Sequence, residues 1–464
     1  MKKLSLILLF AALMAAGTTK AAPALNSFPT ATATILLDFD GHDVSSSMWN
    51  YGTPFSCLPA VMTDAQITEA FNRVAEDFRP FNINITTDLA KFLAAPLSKR
   101  IRIIITPTSA WYAGVAGIAY VTSFTWGDDT PAFVFSDKLL NDPKRVAEAI
   151  SHETGHTLGL YHQAAYDANC TLTSAYSTGV GTGVTSWGPI MGNVASRNVT
   201  QWNHGATPNG CTFLQDNLSV ITTTNGFGYR TDDHADVFKS ATTISMTNNL
   251  FAANGIITTT TDRDFFKVTL GTTGRFRLNA IPFNVGDGYS GANLDIRVTL
   301  MTSRGAVIAN YDFTDSLNAR IDTALKAGTY IVVVDGSSSI NSNNDYGSLG
   351  AYTLNGSFAA ATTTTTTTTT TNGRKTAANL GINTAGEVTT AAIFKVIKQA
   401  QQPVIVNATE AYDYMVVDNF GRIILNGKAA AGTKTIDIRN QPAGIYNLRL
   451  MNTNEQRTEK FMNR

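Results

Sequence analysis

Residues 152–162 read HETGHTLGLYH and hold three of the six histidines in the chain. His152 and His156 are four positions apart, so on a helix their side chains lie on one face, one turn apart. Gly159 can adopt the left-handed backbone that ends a helix, which lets the chain turn and bring His162 back toward the first two rings. The spacing therefore predicts a helix that ends in a cluster of three imidazoles.

Three imidazoles that converge in this way predict a catalytic zinc site. Three protein ligands leave the fourth coordination position of Zn²⁺ open for water, whereas a structural zinc site is closed. Glu153 adjoins the first ligand and is not needed for coordination, so it can act as the general base and later give its proton to a leaving amine. The competing interpretations are unrelated histidines on a helix, or a metal site without catalysis.

The residues before this motif predict the helix that carries it and a sheet beside that helix. Asp142 can cap the helix, and Pro143 suits its first position, where a missing N–H costs nothing. Apolar periodicity predicts one earlier helix over residues 64–78. The predicted strands are residues 33–37, 101–106, 114–124 and 132–135. Residues 23–233 are therefore expected to form an α+β unit.

The pattern HExxHxxGxxH resembles the signature of the metzincin zinc metallopeptidases. That family also has a tight turn whose methionine lies beneath the metal, and residues 188–193 (GPIMGN) are similar to it, with Met191 as the Met-turn residue. The resemblance implies a twisted sheet above the cleft, whose edge strand, here the segment from Gly114 to Phe124, binds extended protein or peptide substrates. Asn193 stands where some members carry a tyrosine, and Gln163 does not indicate a subfamily.

Residues 234–360 have a different sequence pattern, in which short predicted strands alternate with turns rich in Gly, Asn, Ser and Asp. This pattern predicts an antiparallel β-sandwich. Its predicted strands are residues 265–270, 274–280, 294–301, 329–334 and 351–357. The region resembles the bacterial pre-peptidase C-terminal domain through Asp264–Phe265–Phe266 and the segments 328–336 and 351–358.

Residues 361–375 contain ten consecutive threonines and predict a linker, because such a tract has no apolar residues with which to build a core. Residues 376–464 predict a third domain, a small β-sandwich, with strands over 404–450 and turns at 419–422 and 442–444. Its segments 416–428, 435–450 and 460–464 resemble the C-terminal sorting domain of type IX secretion cargo. The resemblance implies export across the outer membrane of a Gram-negative bacterium, with the type IX machinery as partner.

The N-terminus predicts a signal peptide over residues 1–22, with Lys2 and Lys3 before a short apolar run and small residues after it. No other stretch is apolar over about 18 residues, so no transmembrane span is expected. Export permits disulfides, and we expect Cys170 to pair with Cys211 because both flank the motif region. Cys57 is then expected to be inert rather than to block the metal.

Composition excludes some classes of partner. Lys plus Arg equals Asp plus Glu at 35 each, so the net charge is zero and no nucleic-acid footprint is expected. The residues Asp38, Asp40 and Asp43 could bind Ca²⁺, although turn chemistry explains them equally well. The remaining histidines are expected to be surface residues in polar loops, and they are His42, His204 and His234.

The sequence thus predicts a secreted or surface-exposed zinc endopeptidase that cleaves extracellular proteins. A first alternative is a cell-surface adhesin or binding protein with a vestigial zinc site. A second is a hydrolase of non-peptide amides or esters, which would use the same metal chemistry.

Overall fold

The computed structural model describes residues 21–45, 48–342, 344–361, 393–398, 403–418, 423–441, 444–452 and 456–463. They form a multidomain protein that is rich in β-strands and has few helices. Nearly all of the predicted signal peptide and of the poly-threonine linker lies outside the described residues. The described chain divides into two compact units, the first built mainly from residues before His162 and the second mainly from residues after it.

The first unit contains a five-stranded sheet in the order β4-β1-β5-β7-β6, parallel except that β6 runs antiparallel to β7. Every residue of β1, β4 and β7 is buried, as is usual for parallel strands that are covered on both faces. The elements are β1 Ala33–Asp38, β2 His42–Val44, β3 Phe55–Cys57, α1 Asp64–Asp77, β4 Ile83–Thr86, α2 Leu89–Ala94, β5 Arg100–Thr106, β6 Gly117–Ile118, β7 Ala132–Phe135 and α3 Pro143–Thr157.

The helices of this unit begin at residues that satisfy their free N–H groups. At α1, the backbone N–H of Thr63 donates to Gln66 Oε1 and the N–H of Gln66 donates to the Thr63 hydroxyl, which is a capping box. At α3, the Asp142 carboxylate accepts from the N–H of Arg145 at 2.9 Å. The predictions of both helices and of the strands near 33, 101 and 132 are confirmed. Helix α2, capped by Asp88, was not predicted.

The predicted strand over residues 114–124 is wrong, because only Gly117–Ile118 is extended and paired. Gly114 and Thr122 both have positive φ, 93° and 69°, which interrupts an extended backbone on each side. Phe124 then turns into the core, with its ring 5.6 Å from that of Phe227. Phe124 is the one apolar side chain of this segment that is buried, so the segment is mostly a surface loop rather than a long strand.

The second unit begins with a region of short strands and one helix. The elements are β8 Ala165–Tyr166, β9 Leu172–Ser174, β10 Trp187–Pro189, β11 Val199–Gln201, β12 His204–Thr207, β13 Gly210–Asp216 and α4 Asn217–Thr224, of which the last two residues belong to the first unit. Cys170, just before β9, forms a disulfide with Cys211 of β13. The cross-link joins two parts of a region whose strands are short, and it restricts the unfolded chain there.

Two mostly antiparallel sheets follow, in the orders β14-β16-β21-β18-β19 and β15-β22-β17-β20, which is a sandwich-like arrangement. Their strands are β14 Thr242–Thr243, β15 Leu250–Ile257, β16 Arg263–Leu270, β17 Gly274–Pro282, β18 Ile296–Thr302, β19 Val307–Tyr311, β20 Ala319–Leu325, β21 Gly328–Gly336 and β22 Gly350–Ala360. All five predicted strands are confirmed. The strands β15, β19 and β20 were not predicted, because their mixed polar residues do not produce a clear apolar run.

The C-terminal region also forms two sheets, in the orders β23-β24-β27 and β26-β25-β28-β29. Its strands are β23 Phe394–Ile397, β24 Val404–Ala408, β25 Tyr412–Asp418, β26 Ile423–Ala429, β27 Gly432–Ile436, β28 Gly444–Met451 and β29 Gln456–Asn463. One apolar core joins them, as the buried side chains of Phe394, Val406, Val416 and Leu448 show. The strand pattern predicted over residues 404–450 is confirmed, whereas the turn predicted at 419–422 lies outside the described residues.

Replacing both Cys170 and Cys211 with serine should lower the free energy of unfolding by about 2–4 kcal/mol, because the bridge closes a loop across 41 positions. Urea unfolding, followed by tryptophan fluorescence, measures this difference. A reductant should lower the unfolding midpoint of the parent protein and leave that of the double variant unchanged. Equal stability of the two proteins would show that the bridge contributes nothing.

Candidate metal centre

Helix α3 places the first two candidate ligands and Glu153 on its last two turns. Val146 and Ile150 on this helix are fully buried, which fixes the helix against the sheet of the first unit. The rings of His152 and His156 meet edge to face with centroids 4.8 Å apart, as expected for residues one turn apart. The two imidazoles are therefore presented side by side from a rigid element.

The chain reverses direction immediately after α3. Gly159 has φ 102°, and the N–H of Leu160 donates back to the carbonyl of Gly155 at 3.0 Å. The amide of Asn225 also donates to the carbonyl of Leu158 at 3.0 Å, which satisfies one of the free carbonyls at the helix end. The prediction that the helix stops near Gly159 is confirmed.

This reversal brings the three histidines of the motif together. One ring nitrogen from each of His152, His156 and His162 lies within 4.8 Å of the other two. His156 is buried and the other two are half-buried, so the cluster is partly shielded from solvent. Three ring nitrogens gathered this closely could hold a single metal ion, and imidazole is a usual ligand of zinc.

The hydrogen bond of His156 selects the form of the ring that binds a metal. Its Nδ1 lies 2.7 Å from the carbonyl oxygen of Leu160, which can only accept, so Nδ1 carries the proton and donates. The lone pair therefore lies on Nε2. Burial also lowers the pKa of His156, more than the bond to Leu160 raises it, which favours the neutral ring.

Glu153 is buried in the same helix, with 7 % of its surface exposed. Burial raises the pKa of its carboxyl to about 8, and a divalent cation at the neighbouring histidines would oppose that rise. A Cβ atom at Gly117 of β6 would lie 2.7 Å from both Cγ and Oε1 of Glu153. The carboxylate therefore occupies space that exists only because residue 117 has no side chain. Nothing in the sequence pattern indicated this contact.

The turn around Met191 is as tight as the resemblance implies. The N–H of Gly192 donates to the carbonyl of Pro189 at 2.8 Å, and Met191 is fully buried. The carbonyl of Met191 accepts from the N–H of Gln163, the residue after the third histidine, at 2.8 Å. The turn thus holds the backbone next to His162.

Tyr176 is a second residue near the motif that the sequence did not indicate. Its ring lies over that of His162, with centroids 4.2 Å apart. Close by in the same unit, a cavity of about 230 Å³ is lined by polar side chains, among them Gln163, Gln201 and Asn203. These three residues all follow the third histidine in sequence.

The predicted calcium ligands have other partners. Asp38 is buried and pairs with Arg102, Asp40 accepts from the N–H of Ala22, and Asp43 accepts from the hydroxyl of Ser56. These three carboxylates do not form one of the candidate ligand groups among the described residues. Turn and pairing chemistry explain them.

The remaining histidines and the third cysteine differ in burial. His204 is exposed, but His42 is half-buried in β2, and both ring nitrogens of His234 are hydrogen-bonded, to Thr242 and to the carbonyl of Asn254. The prediction of a surface residue is therefore wrong for His234, because β14 and β15 supply partners that only the fold brings near. Cys57 is unbridged and buried, and burial raises the pKa of its thiol to about 12, so it stays protonated and unreactive.

Comparison with known proteins identifies the C-terminus. Residues 400–464 match the family model of the secretion system C-terminal sorting domain. This match confirms the predicted type IX sorting domain, and it indicates export across the outer membrane to the cell surface or into the medium, with the secretion machinery as partner. None of the described helices has the length and apolar character required to cross a bilayer. No curated protein matches the chain.

Solved structures offer only faint similarity. The pre-peptidase C-terminal domain of a collagenase from Bacillus anthracis is 12 % identical, with coverage of 26 % of this chain and 94 % of that one and a TM-score of 0.18. A β-glucuronidase from Faecalibacterium prausnitzii is 11 % identical, with coverage of 46 % and 36 % and a TM-score of 0.16. The chain thus spans about a third of that enzyme, and scores this low carry no argument.

Replacing Gly117 with alanine should displace Glu153, because the new methyl group would overlap its side chain. For the zinc endopeptidase that the sequence predicts, we expect turnover to fall on the order of 10²-fold, the cost of a misplacement of about 1 Å, with metal content unchanged. Gly228→Ala is the matched control, since a Cβ there meets nothing within 4 Å. Full activity in Gly117→Ala would refute the role of residue 117.

Proposed function

We propose that the chain is an exported zinc-dependent endopeptidase that hydrolyses peptide bonds of extracellular proteins. The observation that carries this proposal is the convergence of His152, His156 and His162 with the Glu153 carboxylate beside them on the same helix. The resemblance of the motif and of the Met191 turn to the metzincin pattern supports it.

The donor set fits zinc. The three candidate ligands are imidazoles, and the proton on Nδ1 of His156 places the ring lone pair on Nε2, the form in which imidazole binds a metal. Sites with three histidine ligands are typical of catalytic zinc, and the absence of thiolates argues against a structural site. When bound, zinc would polarise the scissile carbonyl and supply charge stabilisation for the transition state.

Glu153 would move the proton in this reaction. As general base its carboxylate would take a proton from the attacking water, and as general acid it would return that proton to the leaving amine. Its position in the buried face of α3 keeps the side chain in one orientation, so little reorganisation is needed at each turnover.

The free edge of the neighbouring sheet favours a peptide as the substrate rather than a small amide or ester. Strand β6 is the outermost strand of its sheet, and its Gly117 lies against Glu153. An extended peptide that added to this edge by backbone hydrogen bonds would pass directly beside the general base. The edge available for a peptide would be much shorter than the predicted segment from Gly114 to Phe124. In that segment, two residues, Gly117 and Ile118, pair with the neighbouring strand β7.

The other regions would have no catalytic role. We propose that the sandwich-like region is of the pre-peptidase C-terminal type and acts as a binding module or as a spacer. The sorting domain would direct the enzyme out of the cell, where proteins are its available substrates.

Replacing Glu153 with glutamine tests the proposal directly. We expect turnover of casein and of a fluorogenic peptide library to fall by about 10²–10⁴-fold, because an amide cannot accept the proton. Zinc content, measured by elemental analysis, should stay at one ion per chain. A zinc chelator should abolish the activity of the parent protein.

Glu69→Gln on α1 is the control, since Glu69 pairs with Arg73 on that helix and lies outside the helix that carries the motif. Its activity should remain near that of the parent. If the parent protein retained zinc but cleaved neither proteins nor peptide libraries, the adhesin alternative would replace the peptidase proposal.

A further inference from the structure

The sheet β26-β25-β28-β29 of the C-terminal region carries apolar side chains on both of its faces. In β25, Tyr414 and Val416 belong to the core of that region, whereas Met415 and Val417 belong to a second buried cluster together with Met451 of β28. Successive side chains of a strand point to opposite faces, so the second cluster lies on the outer face of the sheet. Its three members from this sheet are at most 5 % exposed, so another part of the chain covers that face.

The covering residues come from the sandwich-like region. Leu250 of β15 is 1 % exposed and belongs to the same cluster, and Ala252, two positions further along the strand, packs against it. The residue between them, Phe251, points the opposite way, and its ring stacks on that of Phe276 with centroids 5.5 Å apart. The outer face of β15 therefore contacts the outer face of the C-terminal sheet.

A buried arginine lies on the same outer face. Arg449 of β28 is paired with Met415 of β25 and is 1 % exposed. With the Asn355 amide oriented so that its nitrogen donates to the carbonyl of Leu354 at 3.2 Å, the amide oxygen accepts from Nη2 of Arg449. Asn355 belongs to β22 of the sandwich-like region and is itself fully buried. A polar contact between the two regions is therefore enclosed beside the apolar cluster.

Hydrogen bonds also link the two regions beside this buried contact. Nη1 of Arg277 in β17 donates to the carbonyl of Asn452 at 3.2 Å. Nζ of Lys460 in β29 donates to the carbonyl oxygen and to Oδ1 of Asn284, both at 3.3 Å. An apolar centre accompanied by polar contacts is the usual composition of a specific protein interface.

The burial of Arg449 has a cost that limits the strength of this contact. Loss of solvation lowers the pKa of its guanidinium to about 9, which means that the charged form is less stable there than in water. If the two regions separated, the outer face would be open to water and the guanidinium would be hydrated again. Apolar burial and the bond to Asn355 compensate for the lost hydration, so we expect a specific but reversible contact.

We propose that the outer face of the sheet β26-β25-β28-β29 is a docking surface for the sandwich-like region of the same chain, and that the C-terminal region stays bound there when the linker is cut. The linker then acts as a tether that raises the effective concentration of the two regions, and it is not their only attachment. A second copy of the chain or a protein of the secretion machinery could bind this face only by displacing the sandwich-like region. The docking does not depend on the proposed peptidase activity.

Cutting the linker of the folded full chain tests the docking. A recognition sequence for a site-specific protease, placed within the threonine tract, allows the chain to be cut after it has folded. We expect the two pieces to co-elute as one complex in size-exclusion chromatography at about 10⁻⁵ M protein, with the mass of one chain. Separate elution of the pieces would overturn the proposal, and so would a complex that contains two C-terminal pieces.

Arg449→Ala and Leu250→Asp test the two sides of the contact. Each should weaken the association of the cut pieces by about tenfold or more, because the first removes the bond to Asn355 and the second places a charge in the apolar cluster. Arg439→Ala is the control, since Arg439 is an exposed arginine of the C-terminal region that pairs with Asp437, and it should bind as the parent does.

Analytical ultracentrifugation of the cut proteins measures these affinities, and circular dichroism shows whether each variant is folded. Both replaced side chains lie on outer faces, so the core of neither region changes and both variants should fold. Parent-like affinity in both folded variants would show that this face is not the docking surface.

Discussion

The end of helix α3 is the constraint on which the candidate metal centre depends. The left-handed backbone at Gly159 turns the chain, and the turn places the carbonyl of Leu160 where Nδ1 of His156 donates to it. One local geometry therefore redirects the chain toward His162 and sets the tautomer of His156. A side chain at residue 159 would strain this backbone, and both consequences would be lost together.

Close packing positions the residues around that turn. The backbone at Gly117 lies so near Glu153 that no other residue type fits without moving the carboxylate. On the other side of the motif, the carbonyl of Met191 holds the N–H of Gln163, and the disulfide between Cys170 and Cys211 restrains a region that has few regular strands. The motif is short, but residues from several distant segments determine how it is held.

A buried carboxylate lies beside the candidate metal centre. Glu153 has a raised pKa, and loss of solvation is the cause. A buried charge is costly unless an opposite charge or hydrogen bonds compensate it. A metal held by the neighbouring imidazoles would supply that compensation.

The sequence alone determined the local elements and the identity of the motif. The caps of α3, the apolar runs of β5 and β7 and the regular spacing of the sandwich strands are short-range signals, because helix and strand periodicities act over a few residues. The C-terminal sorting domain was also readable from its sequence. The tertiary structure alone decided which distant residues meet: Gly117 against Glu153, Tyr176 over His162, and the partners of His234. It also ended the predicted strand over 114–124, because left-handed turns and contacts between remote segments leave no periodic pattern in the sequence.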